Sequence, residues 1–438
     1  MLSFSRLAQL IAVIWLFLAG LRSWLDPLPP YADSPRWQDV FPVKELGDDY
    51  FVRGKVCLIT GVSRGGLGWE TARALALMGA KRIILASRRS KQGEEIASEI
   101  NQQVGRHVCV FQWLDLSDIS SVHQYSTSLQ EDIDIFVLNA GVIHVQQGFV
   151  ESRNKIEQTF AVNYFGHFQL MYELFEYHFA RLPPKPRRVI SVTSYAHMAA
   201  GVSHSRNVSL DDFLWSSERY HREYLSSFKV YFMSKLAQIL FTKFLFKKYQ
   251  HVGVQTFAVH PGLVVTRLGR DRFSSNISNS KTSLLNPAAG AATVSATVVD
   301  GLGKMGMSSS SVGPAESANE ETRKAIQQKL YQQEQHRQMT QQAALAQSWR
   351  YQIVSDTLVD LFWTVLPGVK SLEQGCVTQV FCASSPQIDG TGQYYSEMKK
   401  ARASDMAMNP ELAEQLWKWS VDLLKRKKLE YQIQTRYA

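Results

Sequence analysis

An α/β fold, a doubly wound parallel sheet with helices on both faces, is predicted by two observations. Short apolar runs alternate with stretches of helical periodicity between Val56 and Val259, and the first run ends in a glycine-rich turn that opens an amphipathic helix. Short connections between successive strand–helix units force the strands parallel and require both sheet faces to be covered. The first unit is the strand Val56–Thr60, followed by a helix in which Thr71, Ala72, Leu75 and Met78 recur at helical spacing until Gly79 closes it. Apolar runs at 82–86, 108–114, 133–138, 189–192 and 254–259 continue the pattern, and 378–382 is expected to be the last strand.

The composition agrees with a large globular core. The chain has 438 residues, enough for one large α/β domain with additions or for two or three ordinary domains, and it is 45% apolar and 20% charged. Its 48 Lys+Arg against 39 Asp+Glu leave a net charge of +9, a mild bias toward anionic partners. No long basic block and no nucleic-acid motif accompanies that charge, and the run from Lys425 to Lys428 reads as a solvated helix end, so no nucleic-acid partner is expected. Cys57, Cys109, Cys376 and Cys382 fall in apolar stretches without ligand spacing. They read as core residues, with neither a disulfide framework nor a metal site.

The amino-terminal 1–25 carries an uncharged stretch at 10–21, LIAVIWLFLAGL, between Arg6 and Arg22, with Trp15 and Trp24 suited to a membrane–water boundary. A membrane anchor or interfacial helix is the leading reading; a cleaved signal peptide and a buried helix are the others. The leading reading places the protein on a membrane, with the endoplasmic reticulum or another internal membrane expected. Pro27, Pro29, Pro30 and Pro35 give 26–50 the composition of a stiff linker, and the main folded domain is expected over 51–430. Sequons at Asn207 and Asn276 would matter only in a lumen. A Ser- and Gln-rich stretch, 274–350, reads as a polar insertion in that domain. After it, Leu358, Val359, Leu361, Phe362 and Trp363 form an apolar stripe that reads as core, or as a substrate lid or membrane-touching flap.

The turn after the first strand reads Thr60-Gly61-Val62-Ser63-Arg64-Gly65-Gly66-Leu67-Gly68. Glycines there permit a left-handed turn, approach of the backbone to a diphosphate and close helix–strand packing, while the helix N-terminus offers unpaired N–H groups. This is the pattern of a Rossmann-type dinucleotide site, against which stands a tight turn with no ligand. Specificity for the adenosine ribose is written at the end of the second strand, where the sequence is Ala86-Ser87-Arg88-Arg89. An acid to hold a 2′-hydroxyl is absent. Arg88, with Arg64 from the preceding turn, instead suits a 2′-phosphate, which favours NADP(H). Arg89 reads equally as a solvated residue at a helix start.

Tyr231 and Lys235 stand one helical turn apart after the fifth strand, which ends at Ser194. Asp115-Leu116, Asn139-Ala140-Gly141, Val162-Asn163, Gly166-His167-Phe168, Val192-Thr193-Ser194, Leu236-Ala237 and His260-Pro261-Gly262 with Thr266 complete an ordered series. With these motifs the chain resembles the short-chain dehydrogenase/reductase superfamily, and within it the retinol dehydrogenase and WW-domain oxidoreductase-like group. The resemblance implies a catalytic tetrad of Asn163, Ser194, Tyr231 and Lys235. It implies cofactor contacts from Gly61, Ser63, Arg64, Gly66, Leu67, Gly68, Arg88, Asp115, Leu116, Asn139, Ala140, Gly141, Tyr231, Lys235, Pro261, Gly262 and Thr266. Gly61, Gly66 and Gly68 match the family's three loop glycines, which leaves Gly65 as an extra residue. A Tyr231 phenol exchanges a proton with the substrate oxygen, and the Lys235 ammonium is expected to lower its pKa. Ser194 binds that oxygen, and Asn163 holds a water that links Lys235 to solvent.

The function expected is an NADP(H)-dependent oxidoreductase that interconverts an alcohol and a carbonyl on a lipophilic small molecule, a retinoid, steroid or aldehyde. A membrane-associated scaffold or regulator that binds cofactor but catalyses weakly is the alternative. Family members often pair through the long helices after the fourth and fifth strands, so a homodimer is a further expectation.

Overall fold

In the computed structural model, the residues described are 34–41, 50–144, 148–201, 209–223, 225–264, 370–386, 388 and 390–437, with side chains to 430. The expected anchor 1–25, the insertion 274–350, both sequons, the stripe around Leu358–Val365 and Thr266 lie outside them.

A short helix, α1 (Trp37–Val40), precedes the alternating units β1 (Val56–Thr60), α2 (Leu67–Leu77), β2 (Arg82–Ser87), α3 (Ser90–Val104), β3 (Cys109–Trp113), α4 (Ile119–Ser128) and β4 (Ile135–Leu138). Helix α5 begins at Gln158–Phe160, passes through a π-helical turn at Ala161–Phe165 and continues as Gly166–Glu173. Then come β5 (Arg187–Val192), α6 (Ser217–Arg222), α7 (Ser226–Tyr249), β6 (Val254–His260), α8 (Leu372–Gly375) and α9 (Val377–Ser384). The chain ends with β7 (Gln393–Ser396), β8 (Lys399–Lys400), α10 (Asp405–Met408) and α11 (Pro410–Tyr437).

The sheet runs β3-β2-β1-β4-β5-β6-β7-β8. Every neighbouring pair is parallel except β7 and β8. Because side chains alternate across a strand, each strand feeds two cores. Leu58, Ile84, Phe136, Leu138 and Val189 face one, shared with α4, α5, α7 and α11. Cys57, Ile59, Ile83, Leu85, Val137 and Ile190 face the other, shared with α2, α3 and α9. The four cysteines are free thiols buried in these cores. Strand order reverses between β1 and β4, and at such a switch point the carboxyl ends of the strands open a crevice for a ligand.

Two expectations fail. Thr378–Cys382 is part of helix α9, and the sheet edge expected there is formed by Gln393–Ser396, which pairs with β6 from Phe257↔Gln393 to His260↔Ser396. A short apolar run fits either element, and the deciding signal is upstream. Ser371 and Gln374 form a capping box that starts helix α8 immediately before it, with the Ser371 hydroxyl accepting the Gln374 N–H at 3.2 Å. The second failure is the linker. Within 26–50, Trp37 is completely buried and its Nε1–H donates to the Glu70 carboxylate at 2.6 Å, so α1 belongs to the core.

Candidate active site

The switch point brings the glycine turn against the end of β4. Gly61 has a φ of +73°, and a Cβ there would stand 2.4 Å from the Ala140 Cα, so no other residue fits both the conformation and the contact. A Cβ on Gly68 would meet the Asn139 Nδ2 at 2.5 Å. The Asn139 amide donates to the carbonyls of Thr60 and Gly61, each at 3.0 Å, and so ties β1 to β4 directly under the turn. Gly65, expected as a surplus residue, takes φ +68° and is part of the turn itself. Ser63 closes the turn through its carbonyl, which accepts the Gly66 N–H at 3.0 Å. Helix α2 then starts at Leu67 with Gly66 as its N-cap and no side chain capping it. Its first N–H groups are thereby offered to a ligand rather than to a neighbouring hydroxyl. That uncapped terminus, behind a turn that admits only glycine, fits a dinucleotide diphosphate.

The adenosine side is less uniform. Arg88 is exposed at the end of β2, whereas Arg64 is paired with Glu99 and lies 4.0 Å from Glu95, both on α3. The Ser87 hydroxyl, which sequence reasoning passed over, is buried beside Arg88 with no hydrogen-bond partner among the described residues. Asp115 accepts both the N–H and the hydroxyl of Ser117, at 2.9 and 2.7 Å, which shapes the loop after β3. Leu116 is a core residue, its carbonyl so close to α5 that a Cβ on Gly166 would lie 2.1 Å away.

The four tetrad residues converge beside this crevice. Asn163 sits in the π-helical turn of α5, fully buried; its amide accepts from the Val142 N–H at 2.7 Å and donates to the Val142 carbonyl and the Ser234 hydroxyl, both at 3.0 Å. One side chain therefore joins α5, the segment after β4 and the catalytic helix α7. A π-turn at such a point re-aims the following residues. On α7, the Tyr231 phenol lies near enough to the Ser194 hydroxyl for that hydroxyl to favour its ionised form, and the Lys235 Nζ lies 5.5 Å from the Tyr231 ring centroid. The Lys235 ammonium donates to the Val192 carbonyl at 3.0 Å and to the Gln238 amide oxygen at 2.9 Å. Gly141 lies beside them: a Cβ there would be in ordinary contact with the Asn163 Oδ1 and Lys235 Nζ, at 3.5 and 3.6 Å. Pro261 and Gly262 follow β6, where Gly262 has a φ of +87° and packs on the buried Lys370 stem.

The electrostatics depart from expectation. Burial raises the Tyr231 phenol to about 12, only partly opposed by the nearby Ser194 hydroxyl, and lowers the Lys235 ammonium to about 7. Desolvation dominates both groups, so Tyr231 stands as a protonated donor at neutral pH.

Three histidines around the site also went unassigned in the sequence. His167, one turn after Asn163, lies between the Asn163 carbonyl (Nδ1, 3.0 Å) and the Thr60 hydroxyl (Nε2, 2.8 Å). Since a carbonyl only accepts, Nδ1 carries the proton and the Thr60 hydroxyl donates to Nε2. Thr60 in turn accepts the N–H groups of Asn139 and Ala140, both at 3.1 Å. His197 and His260 flank Ser194. His260 meets the Tyr195 N–H and His197 the Ser404 N–H, partners remote in sequence that no local pattern could reveal.

A parallel sheet with a diphosphate-binding turn at its switch point, and Tyr, Lys, Ser and Asn gathered beside it, defines a dinucleotide-dependent oxidoreductase. Residues 55–205 match the family model for short chain dehydrogenases. Retinol dehydrogenase 12 of Bos taurus is 34% identical over 260 residues, 58% of this chain and 75% of that one. Retinol dehydrogenase 12 of Mus musculus is 27% identical over 418 residues, covering 93% of this chain and 97% of the relative. An uncharacterised protein of known structure from Mycobacterium paratuberculosis shares the fold, with a TM-score of 0.50 and 20% identity over 91% of this chain and 97% of its own. The chain belongs to the short-chain dehydrogenase/reductase superfamily, in its retinol dehydrogenase-like group.

Proposed function

We propose that this protein is a membrane-associated, NADP(H)-dependent oxidoreductase that interconverts an alcohol and a carbonyl on a lipophilic small molecule, with Tyr231 as acid and base. The coarser part follows from membership: the family carries out NAD(P)-dependent alcohol–carbonyl chemistry. The observation that carries the finer reading is the gathering of the Tyr231 phenol and the Ser194 hydroxyl, with Lys235 one turn away.

The bound dinucleotide supplies or accepts the hydride. In carbonyl reduction the Tyr231 phenol gives its proton to the substrate oxygen, while the Ser194 hydroxyl donates to the same oxygen and holds it in line. The alcohol then forms with one hydrogen at carbon and one proton at oxygen, and oxidation is the reverse. Lys235, held by Val192 and Gln238, keeps an amine donor beside the phenol, where it would also hold the nicotinamide ribose of a bound dinucleotide. Asn163 braces α5 against α7 and so sets the distance between these groups.

Preference for NADP(H) is supported by Arg88 and the buried Ser87 hydroxyl at the end of β2, with no carboxylate there. A lipophilic substrate is supported by the apolar sequence from Leu358 to Val365 and by relatives named for retinol. Membrane attachment is supported by the uncharged stretch in 1–25, while no described helix is long and apolar enough to cross a membrane. Binding titrations of NADPH and NADH test the cofactor reading. Arg88→Asp is expected to weaken NADPH by about 2 kcal/mol or more through a lost charge-assisted contact and added repulsion, with NADH gaining relative to it. Equal affinity of the unaltered protein for both would overturn the preference. A panel of retinoid, steroid and aliphatic aldehydes and ketones with NADPH, run in both directions, tests the substrate class.

A further inference from the structure

The Ser194 hydroxyl has to face the Tyr231 phenol, yet Ser194 lies in the irregular chain just beyond β5, where its hydroxyl accepts the Ala196 N–H at 3.2 Å, a bond within the loop that does not tie the loop to the rest of the fold. The loop is instead held by two imidazoles. The Ser194 carbonyl accepts from the His197 Nδ1–H at 2.7 Å, and on the far side of the same ring Nε2 accepts the Ser404 backbone N–H at 3.2 Å. The next residue, Tyr195, donates its N–H to the His260 Nδ1 at 3.2 Å. These roles are fixed by the partners, because a backbone carbonyl only accepts and a backbone N–H only donates. His197 is therefore neutral with its proton on Nδ1, and His260 presents a bare Nδ1. Burial agrees, lowering His197 to about 4 and His260 to about 3. His197 is fully buried, and its ring packs 5.0 Å from the Tyr394 ring of β7.

We infer that His197 is a positioning residue for the reaction: it anchors the Ser194 carbonyl to the start of α10 and thereby aims the Ser194 hydroxyl at Tyr231. His260, at the end of β6, holds the adjoining peptide from the other side. The inference rests on the proposed function for its kinetic readout, but not for its spectroscopic one. A merely structural histidine would lower stability and leave the Ser194–Tyr231 pair alone. A positioning histidine acts only through Ser194, so its effect disappears once Ser194 has no hydroxyl.

The test combines His197→Phe, His197→Gln and Ser194→Ala in the full chain, together with the His197→Phe/Ser194→Ala double variant. The Tyr231 resonance of protein labelled with 13Cζ-tyrosine, assigned by its loss in Tyr231→Phe, reports the Ser194–Tyr231 hydrogen bond without any turnover. In His197→Phe this resonance is expected to move to its Ser194→Ala position, and in His197→Gln, which can both donate and accept, to stay near the unaltered one. Turnover on an active aldehyde is expected to fall about 10- to 100-fold in His197→Phe, as for a reacting group displaced by about 1 Å, with NADPH affinity unchanged. Adding His197→Phe to Ser194→Ala is expected to change neither readout further. An unmoved Tyr231 resonance in folded His197→Phe, or equal losses from His197→Phe with and without the Ser194 hydroxyl, would overturn the inference. Absence of turnover in the unaltered protein would count against the proposed function alone. Should His197→Phe fail to fold, Ser404→Pro removes the N–H that holds the ring at a φ of −59°, which proline accepts, and is expected to move the resonance the same way. An unmoved resonance there would likewise overturn it.

Discussion

The His167 ring is connected to two groups that must stay in register, the Thr60 hydroxyl at the end of β1 and the Asn163 carbonyl in the π-turn. His167→Leu strands both, at about 1–3 kcal/mol for each buried group left without a partner. The same residue makes stability depend on pH. Burial lowers the ring from 6.5 to about 4, so between those values the unfolded chain binds a proton that the folded chain refuses. Its contribution is complete above pH 6.5 and is lost as the pH falls toward 4, at up to ~1.4 kcal/mol per pH unit. Urea midpoints at pH 7 and pH 5 check this: the unaltered protein is expected to lose more stability across that interval than His167→Leu, and equal losses would refute it. At this scale the tetrad could be read from sequence because Tyr231 and Lys235 are neighbours on one helix and Ser194 and Asn163 sit in recognisable strings. The histidines could not, since Thr60 and Ser404 reach them from remote parts of the chain. The raised Tyr231 pKa ran against the expected lowering, because burial, a property of the folded state, outweighs a charge that sequence alone suggests.

At the level of elements, periodicity located six of the strands, from Val56–Thr60 to Val254–His260, because each is a buried run between turns. It failed where composition and burial disagree. The stretch around Trp37 has the prolines of a linker, yet Trp37 docks between α2 and α9, with the Arg73 guanidinium 5.4 Å from its ring centroid. Trp37→Ala is expected to cost about 3–5 kcal/mol in chemical denaturation, the range for deleting a large core aromatic. A loss below 1 kcal/mol would return that segment to the role of linker. Helix α9 shows the converse error: the apolar run was read correctly as buried and assigned the wrong geometry.

Across the whole molecule, α11 lies along α5 and α7, the two helices through which family members often pair. Trp417 packs against Phe168 of α5 and Phe241 of α7, with ring centroids 5.1 and 6.1 Å apart. Tyr164 and Ser420 share a hydrogen bond of 2.7 Å, and Lys428 and Lys247 form ion pairs with Glu173 and Glu414, at 2.7 and 2.8 Å. The C-terminal helix thus covers one face of α5 and α7 within the chain. Cross-linking between cysteines placed on α5 and α7 is expected to give no covalent dimer, and efficient dimer formation through those positions would contradict the packing. The expected homodimer rests on two helices recognisable in isolation, while the packing of α11 on them depends on aromatic residues separated from them by more than a hundred positions.

The central claim is that the gathered residues carry out proton transfer at a substrate oxygen, and Tyr231→Phe tests it most directly. The substitution keeps the ring and removes the phenolic hydroxyl, and with it the transferable proton. Measured alongside NADPH binding and thermal unfolding, turnover is expected to fall by ~10²–10⁴ while the protein stays folded and retains the cofactor. A folded, NADPH-binding Tyr231→Phe protein that turns over at close to the original rate would contradict the account.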